Sequence, residues 1–205
     1  MAIIETLKIY FRTYIHYITA GINSEEIMLA HIIKNAESIP LTTSTIKDIC
    51  NNRVNIFLYH ELANISDPMM MFYKEGFGIV PMVLLYPVRS SSDGHWCALI
   101  YNRDSNIIYY FDPYGFPIEY YKKYGFYERE YLSELLTVAQ ENGIKLDLAP
   151  TKLQKIDRGV NTCGRYSALR AVFSNLSNTE FCNMLEEKIK LNNPDEIVTL
   201  MTIIN

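Results

Sequence analysis

The chain has 205 residues, 49% of them hydrophobic, which suits one globular domain with a sizeable core. A net charge of −4 and a sequence pI of about 5.6 exclude a strongly basic nucleic-acid binder. The four cysteines (Cys50, Cys97, Cys163, Cys182) form no Cys-x-x-Cys pair, and the four histidines (His16, His31, His60, His95) are dispersed. That argues against a zinc site and for a reduced, intracellular protein, with no metal and no cofactor expected. The N-terminus soon meets charges, reads as no signal peptide, and no run reaches membrane-spanning length, so no membrane partner is expected.

Taken in chain order, Ile3, Ile4, Leu7, Tyr10, Phe11, Tyr14 and Ile18 recur at helical spacing. Asn23 followed by Glu26 resembles a capping box and predicts a second helix through about Glu37, ended by Pro40. Residues 44–51 predict a short helix, and Val54 to Leu62 fits either strand or helix. The continuous apolar run Ile79 to Tyr86 predicts a buried strand. Trp96 to Tyr101 and Ile107 to Phe111 predict two more, joined by a hairpin turn over Asn102 to Asn106. Residues 128–142 predict a helix with an apolar stripe of Tyr131, Leu132, Leu135, Leu136 and Val138. Ile144 to Leu148 predicts a short strand closed by Pro150.

A helix after Cys163 carries Ala168, Leu169, Val172, Phe173 and Leu176 on one face, and Asn178 or Thr179 caps another. Pro194 and the apolar Ile197 to Ile204 end the chain. Lys152, Lys155, Arg158, Arg165 and Arg170 read as a solvated basic rim. Helices, then strands, then helices packed on them define an α+β class.

Four residues within this layout carry chemistry. Cys163 sits where the irregular segment Gly159 to Thr162 meets a helix, and a helix N-terminus favours thiolate over thiol. The alternative for a cysteine there is a buried core residue opening an ordinary helix. His95 opens an apolar strand after a flexible turn, as a base held by a sheet and open to a cleft would. Asp112 ends the neighbouring strand, 17 residues later. If the two strands pair as a hairpin, His95 and Asp112 meet at the same end, and the acid orients the imidazole. Asp93 and Asp104 are alternative acids, and Cys97 is an alternative thiol without a helix dipole. Gln154, nine residues before Cys163, can donate an amide N–H to an oxyanion, whereas Gln140 falls inside a predicted helix. Gly164 would admit a substrate backbone and Trp96 would wall a groove.

The segments Gly94-His95-Trp96-Cys97-Ala98-Leu99 and Tyr110-Phe111-Asp112-Pro113-Tyr114-Gly115-Phe116, with Gln154 and Cys163-Gly164 after them, resemble the adenain family of adenovirus maturation proteases. More broadly the chain is similar to the Ulp1/SUMO-protease superfamily. The likeness spans roughly residues 79–176 of a single 205-residue domain, with residues 1–60 a helical region outside it. It implies a mixed sheet against which the nucleophile's helix packs. It also implies a cysteine endopeptidase in which His95 is base, Asp112 its partner, Cys163 nucleophile and Gln154 the oxyanion amide. The expected substrates are capsid or core precursors of a virophage or other DNA virus, cut where virus assembles or inside the virion. The segment from Gln154 to Cys163 is about two residues longer than in adenain, and the acid is Asp where adenain has Glu. The acidic charge and the lack of a matching cysteine near 140–150 leave an activating DNA or peptide without support. The other readings are a ubiquitin or SUMO-like isopeptidase acting on host proteins, an acyltransferase, and an inactive scaffold.

Overall fold

In a computed structural model of the chain, the described residues are 24–90, 93–125, 127–148, 152–189 and 193–203. The helix expected over residues 3–18, the Asn23 cap and Pro150 lie outside them. The elements are α1 (Ser24–Glu37), α2 (Thr43–Ile49), β1 (Asn55–Leu58), β2 (Tyr73–Lys74), β3 (Gly78–Ile79), β4 (Met82–Ser90), β5 (Asp93–Asn102) and β6 (Ile107–Phe111). They continue with α3 (Tyr131–Glu141), β7 (Lys145–Asp147), α4 (Cys163–Val172), α5 (Asn178–Ile189) and α6 (Pro194–Ile203).

Five strands form one mixed sheet in the order β1-β4-β5-β6-β7. The inner pairs β4–β5 and β5–β6 are antiparallel, and the outer pairs β1–β4 and β6–β7 are parallel. Side-chain alternation divides the sheet between two cores. Val83, Leu85, Trp96, Ala98 and Phe111 pack with residues of α2, α4, α5 and α6. Met82, Leu84, Tyr86, Cys97, Leu99, Ile108 and Tyr110 pack with α3 and with the 3-10 segments near Tyr59 and Met71. Both faces being covered explains why β4 reads as an unbroken apolar run. The fold is α+β, with helices on a mixed sheet.

Several boundaries differ from the sequence expectation for local reasons. The run from Ile79 to Tyr86 is split: Gly78–Ile79 pairs with Tyr73–Lys74 in a separate hairpin, and the long strand starts only after Pro81. Proline has no N–H for a ladder, and its carbonyl instead accepts from the Asn55 N–H at 2.9 Å. The ambiguous segment Val54 to Leu62 is both things in turn, a strand to Leu58 and then a 3-10 helix, Tyr59–Asn64. The cap of α5 is Ser177, not Asn178 or Thr179. Its N–H donates to Glu180 Oε2 at 2.7 Å, and its Oγ accepts from the Glu180 N–H.

Asn178 is instead buried, donating to the Tyr110 carbonyl at 2.7 Å and accepting from Arg170 Nε at 3.0 Å. Arg170 is fully buried and Arg165 nearly so, which removes both from the expected solvated rim; Lys152, Lys155 and Arg158 are exposed. The Arg170 guanidinium donates to the carbonyls of Phe173 and Leu176 in the turn that follows α4.

Gly94 is demanded by packing across β4–β5. A β-carbon there would lie 2.0 Å from the Tyr86 carbonyl oxygen, a backbone atom that cannot move aside. Gly94→Ala should therefore destabilise the fold by about 2–4 kcal/mol, by overpacking against fixed backbone. Gly143→Ala, at φ +81° with nothing within 4 Å, should cost only about 1 kcal/mol for its left-handed backbone. Chemical denaturation of the two variants checks the contrast, and equal losses would remove the packing argument.

Candidate active site

His95, Asp112, Gln154 and Cys163 come together where β5, the turn after β6 and the start of α4 converge, and all four are buried. The hairpin forms as expected, but its strands are offset. Phe111 pairs with Ala98, so His95 to Cys97 extend past the end of β6. His95 and the position of Asp112 are then diagonal neighbours on one face, within reach of each other's side chains. His95 Nε2 meets Asp112 Oδ2 at 2.8 Å. The Cys163 side chain lies near enough to the ring to raise its pKa. The missing strand beside residues 95–97 is what lets a thiol from the α4 layer reach an imidazole from the opposite face of the sheet.

The turn Asp112-Pro113-Tyr114-Gly115 organises the remainder. The Gly115 N–H donates to the Asp112 carbonyl at 2.9 Å, closing a β-turn with proline at its second position. Asp112 Oδ1 accepts from the backbone N–H groups of Tyr114 at 2.8 Å and Phe116 at 3.4 Å. The carboxylate is thus oriented by its own turn before it meets the histidine. The Pro113 carbonyl accepts from the N–H groups of both Leu153 and Gln154, each at 2.9 Å. Gly115, at φ +72°, lets Lys152 pass close by, since a β-carbon would sit 3.2 Å from the Lys152 nitrogen. The acid and the amide therefore hang on one turn.

Tyr114 touches three of the four site residues. Its N–H binds Asp112, its ring stacks on His95 with centroids 5.2 Å apart, and its hydroxyl oxygen accepts from Gln154 Nε2 at 3.0 Å. That bond uses one of the two N–H groups of the Gln154 amide. Burial, with the electrostatic influence of Cys163, Asp195 and Asp112, pushes the Tyr114 phenol up to about 12, while its bond to Gln154 opposes the shift. Tyr121 stacks on the same imidazole, centroids 4.0 Å apart and planes at 21°. Sequence reasoning assigned no role to either tyrosine; 16 tyrosines in the chain gave no reason to prefer these two.

Cys163 is the first residue of α4, preceded by Thr162 at the cap position. Trp96 and Gly164 meet each other: a β-carbon on Gly164 would lie 3.1 Å from the Trp96 ring and 3.1 Å from the Leu41 Cβ. Packing against these two side chains accounts for glycine at 164, and Trp96 is 3% exposed in the same core as Cys163. Of the alternatives, Cys97 is fully buried in the other core, and Asp104 is exposed in the hairpin turn. The side chain of Asp93 lies outside the described residues. Among the described residues no group of three or more His, Cys, Asp or Glu side chains could hold a metal ion. No helix among them is long and apolar enough to cross a membrane.

Electrostatics favour a charged imidazole. Burial alone pushes the His95 ring down, but its hydrogen bond to Asp112 and the electrostatic influence of Cys163 and Asp112 outweigh it and hold the pKa up to about 9. The folded-state value lies above the ordinary 6.5 of histidine. The bound proton therefore contributes stability that is whole below about pH 6.5 and is lost as pH rises through about 9. Burial pushes the Cys50 thiol up to about 12 and the Cys97 thiol well above its ordinary value.

Alkylation should accordingly label Cys163 before Cys50 and Cys97. At Cys163, anionic iodoacetate should be favoured over neutral iodoacetamide at neutral pH, because the reagent approaches a cationic ring. That preference should fade as pH rises through about 9. A ratio that does not change with pH, measured by mass spectrometry, would place no imidazolium beside this thiol.

No family model matches the chain. Over 183 residues it is 30% identical to an uncharacterized protein, V9, of the Sputnik virophage. That alignment covers 83% of this chain and 98% of the relative, and it sets the chain in a viral context. At this identity and coverage the chain belongs to the family of the Sputnik virophage V9 protein.

Proposed function

We propose that this protein is a cysteine endopeptidase that cuts capsid or core precursors during virus maturation, where virus assembles in the host cell or within the virion. One observation carries the reading: a buried imidazole bonded to a carboxylate and electrostatically coupled to a nearby thiol, with that thiol at the start of a helix. Each group has a role in acyl transfer. The Cys163 thiolate attacks the scissile carbonyl carbon and the π electrons move to oxygen. The second N–H of Gln154 and the backbone N–H at the start of α4 stabilise that oxyanion, since the first N–H groups of a helix have no intrahelical acceptor. The tetrahedral intermediate collapses, the C–N bond breaks, and His95 gives its proton to the leaving amine. Water, deprotonated by His95, then attacks the thioester carbonyl, and collapse breaks the C–S bond, releasing the acid and restoring the Cys163 thiolate beside the protonated His95. Asp112 holds the ring and stabilises its charge throughout. The resemblance to the adenain family over residues 79–176 supports the peptidase reading, and the virophage relative supports the viral substrate. No metal or cofactor enters these steps. Nothing in the charge or the cysteine placement calls for DNA or a tethered peptide.

The purified protein should cut virophage capsid precursors, with cleavage sites mapped by mass spectrometry, and Cys163→Ala should abolish cutting while keeping the fold. Gln154→Ala should lower kcat by roughly 10²–10³ with a smaller change in KM, as for a donor used mainly in the transition state. Gln140→Ala, on exposed α3 surface, should do little. Asp112→Asn should be milder than His95→Ala, because the amide still holds the ring. Efficient release of ubiquitin or SUMO from C-terminal conjugates, with precursors untouched, would shift the assignment to an isopeptidase. Cleavage that survives Cys163→Ala would end the proposal.

A further inference from the structure

Residues 155–162 separate the Gln154 amide from the Cys163 thiol and contain no helix or strand. Left to itself, such a loop would let its two ends drift, and misplacement by about 1 Å can cost a reaction roughly 10²-fold. Both ends are tied to one group. Asp195, in the first turn of α6 and fully buried, accepts the Lys155 backbone N–H on Oδ2 at 3.0 Å and the Thr162 hydroxyl on Oδ1. Lys155 directly follows Gln154, and Thr162 directly precedes Cys163. An ordinary helix-start aspartate bonds to N–H groups of its own helix; this one reaches partners 33 and 40 residues away. A second tie comes from the end of α1. The Asn161 N–H donates to the Glu37 carbonyl at 2.7 Å, and its side-chain amide donates to the Ser38 carbonyl at 2.7 Å. A buried carboxylate is costly unless its oxygens are satisfied, and here both are used on this loop.

We propose that Asp195 is a positioning residue that sets the separation between the Gln154 amide and the Cys163 thiol, acting through Thr162 at the thiol end. The inference rests on the peptidase reading. The clamp itself also has a readout that needs no substrate.

The test uses the full chain carrying Thr162→Val, Thr162→Ser, Asp195→Asn or Asp195→Ala. Thr162→Val is isosteric and removes one bond, so it carries the test if Asp195→Ala does not fold. For precursor cleavage, Thr162→Val and Asp195→Ala should lower kcat by about 10–10²-fold with KM within about threefold. Thr162→Ser keeps the hydroxyl. Asp195→Asn can still accept from Lys155 and donate to Thr162, so both should stay within about threefold of the unaltered protein. Adding Gln154→Ala to Thr162→Val should cost much less than Gln154→Ala alone, because a displaced oxyanion donor has little left to lose. Independently, iodoacetamide should alkylate Cys163 about five- to tenfold more slowly in Thr162→Val than in Thr162→Ser, since the thiol leaves its imidazole.

Equal rates for Thr162→Val and Thr162→Ser, or full additivity with Gln154→Ala, would overturn the clamp. A protein that cuts no precursor yet shows the predicted alkylation difference would overturn the peptidase reading and leave the clamp standing.

Discussion

The site depends on the burial of one carboxylate. Asp112 is 2% exposed, and a carboxylate taken out of water is tolerated only when its oxygens are bonded. Its own turn bonds one oxygen through the Tyr114 and Phe116 N–H groups, and His95 bonds the other. The same turn presents the Pro113 carbonyl that anchors Leu153 and Gln154, and the tyrosine whose ring lies on the imidazole and whose hydroxyl meets the amide. Five residues therefore orient the acid, steady the base and place the amide. The sheet sets where this happens. Because β6 ends opposite Ala98, the last turns of chain at its tip have room to fold back over His95.

The parts of this arrangement that depend on neighbouring residues were legible in the sequence. Apolar runs and a turn signal located the β5–β6 hairpin, and an Asp at one strand end and a His at the other suggested their meeting. The apolar face of α4 located its start at Cys163. The register was not legible, since the hairpin's offset depends on how its loop closes; Asn106 adopts a left-handed φ of 54° and Asn102 Oδ1 accepts the Ser105 N–H. Nor was the role of Gly164 legible as packing. Its neighbours Trp96 and Leu41 are distant in sequence, and the absence of a side chain says nothing about what occupies the space.

Arg165, Arg170 and Asp195 show the limit most clearly. Charged residues read from sequence as solvated, and these three are interior because polar partners meet them: Arg165 and Asp195 from remote segments, Arg170 from the turn just after its own helix. Arg165 donates to the Thr202 hydroxyl at 2.6 Å and to the Ala36 carbonyl at 3.0 Å, so α4 is tied to both α1 and α6. Asp195 in sequence is only an acid in the first turn of a helix, favourable for the macrodipole anywhere. Its long-range partners appear only once the chain is folded. The regions flanking the resemblance, α1 and α6, are therefore bound to the loop before Cys163. The alignment with the V9 protein, covering 98% of that relative, makes it the natural second chain in which to look for the same ties.

The central claim is that His95, bonded to Asp112 and under the electrostatic influence of Cys163, is held as an imidazolium. Side-chain NMR of ¹⁵N-histidine protein tests it most directly, with His95 assigned by comparison with His95→Gln. The account predicts that the ring nitrogens of His95 remain protonated through neutral pH and titrate near 9, and that Cys163→Ser or Asp112→Asn lowers that midpoint. A His95 titration at or below the ordinary 6.5, unmoved by either substitution, would contradict it.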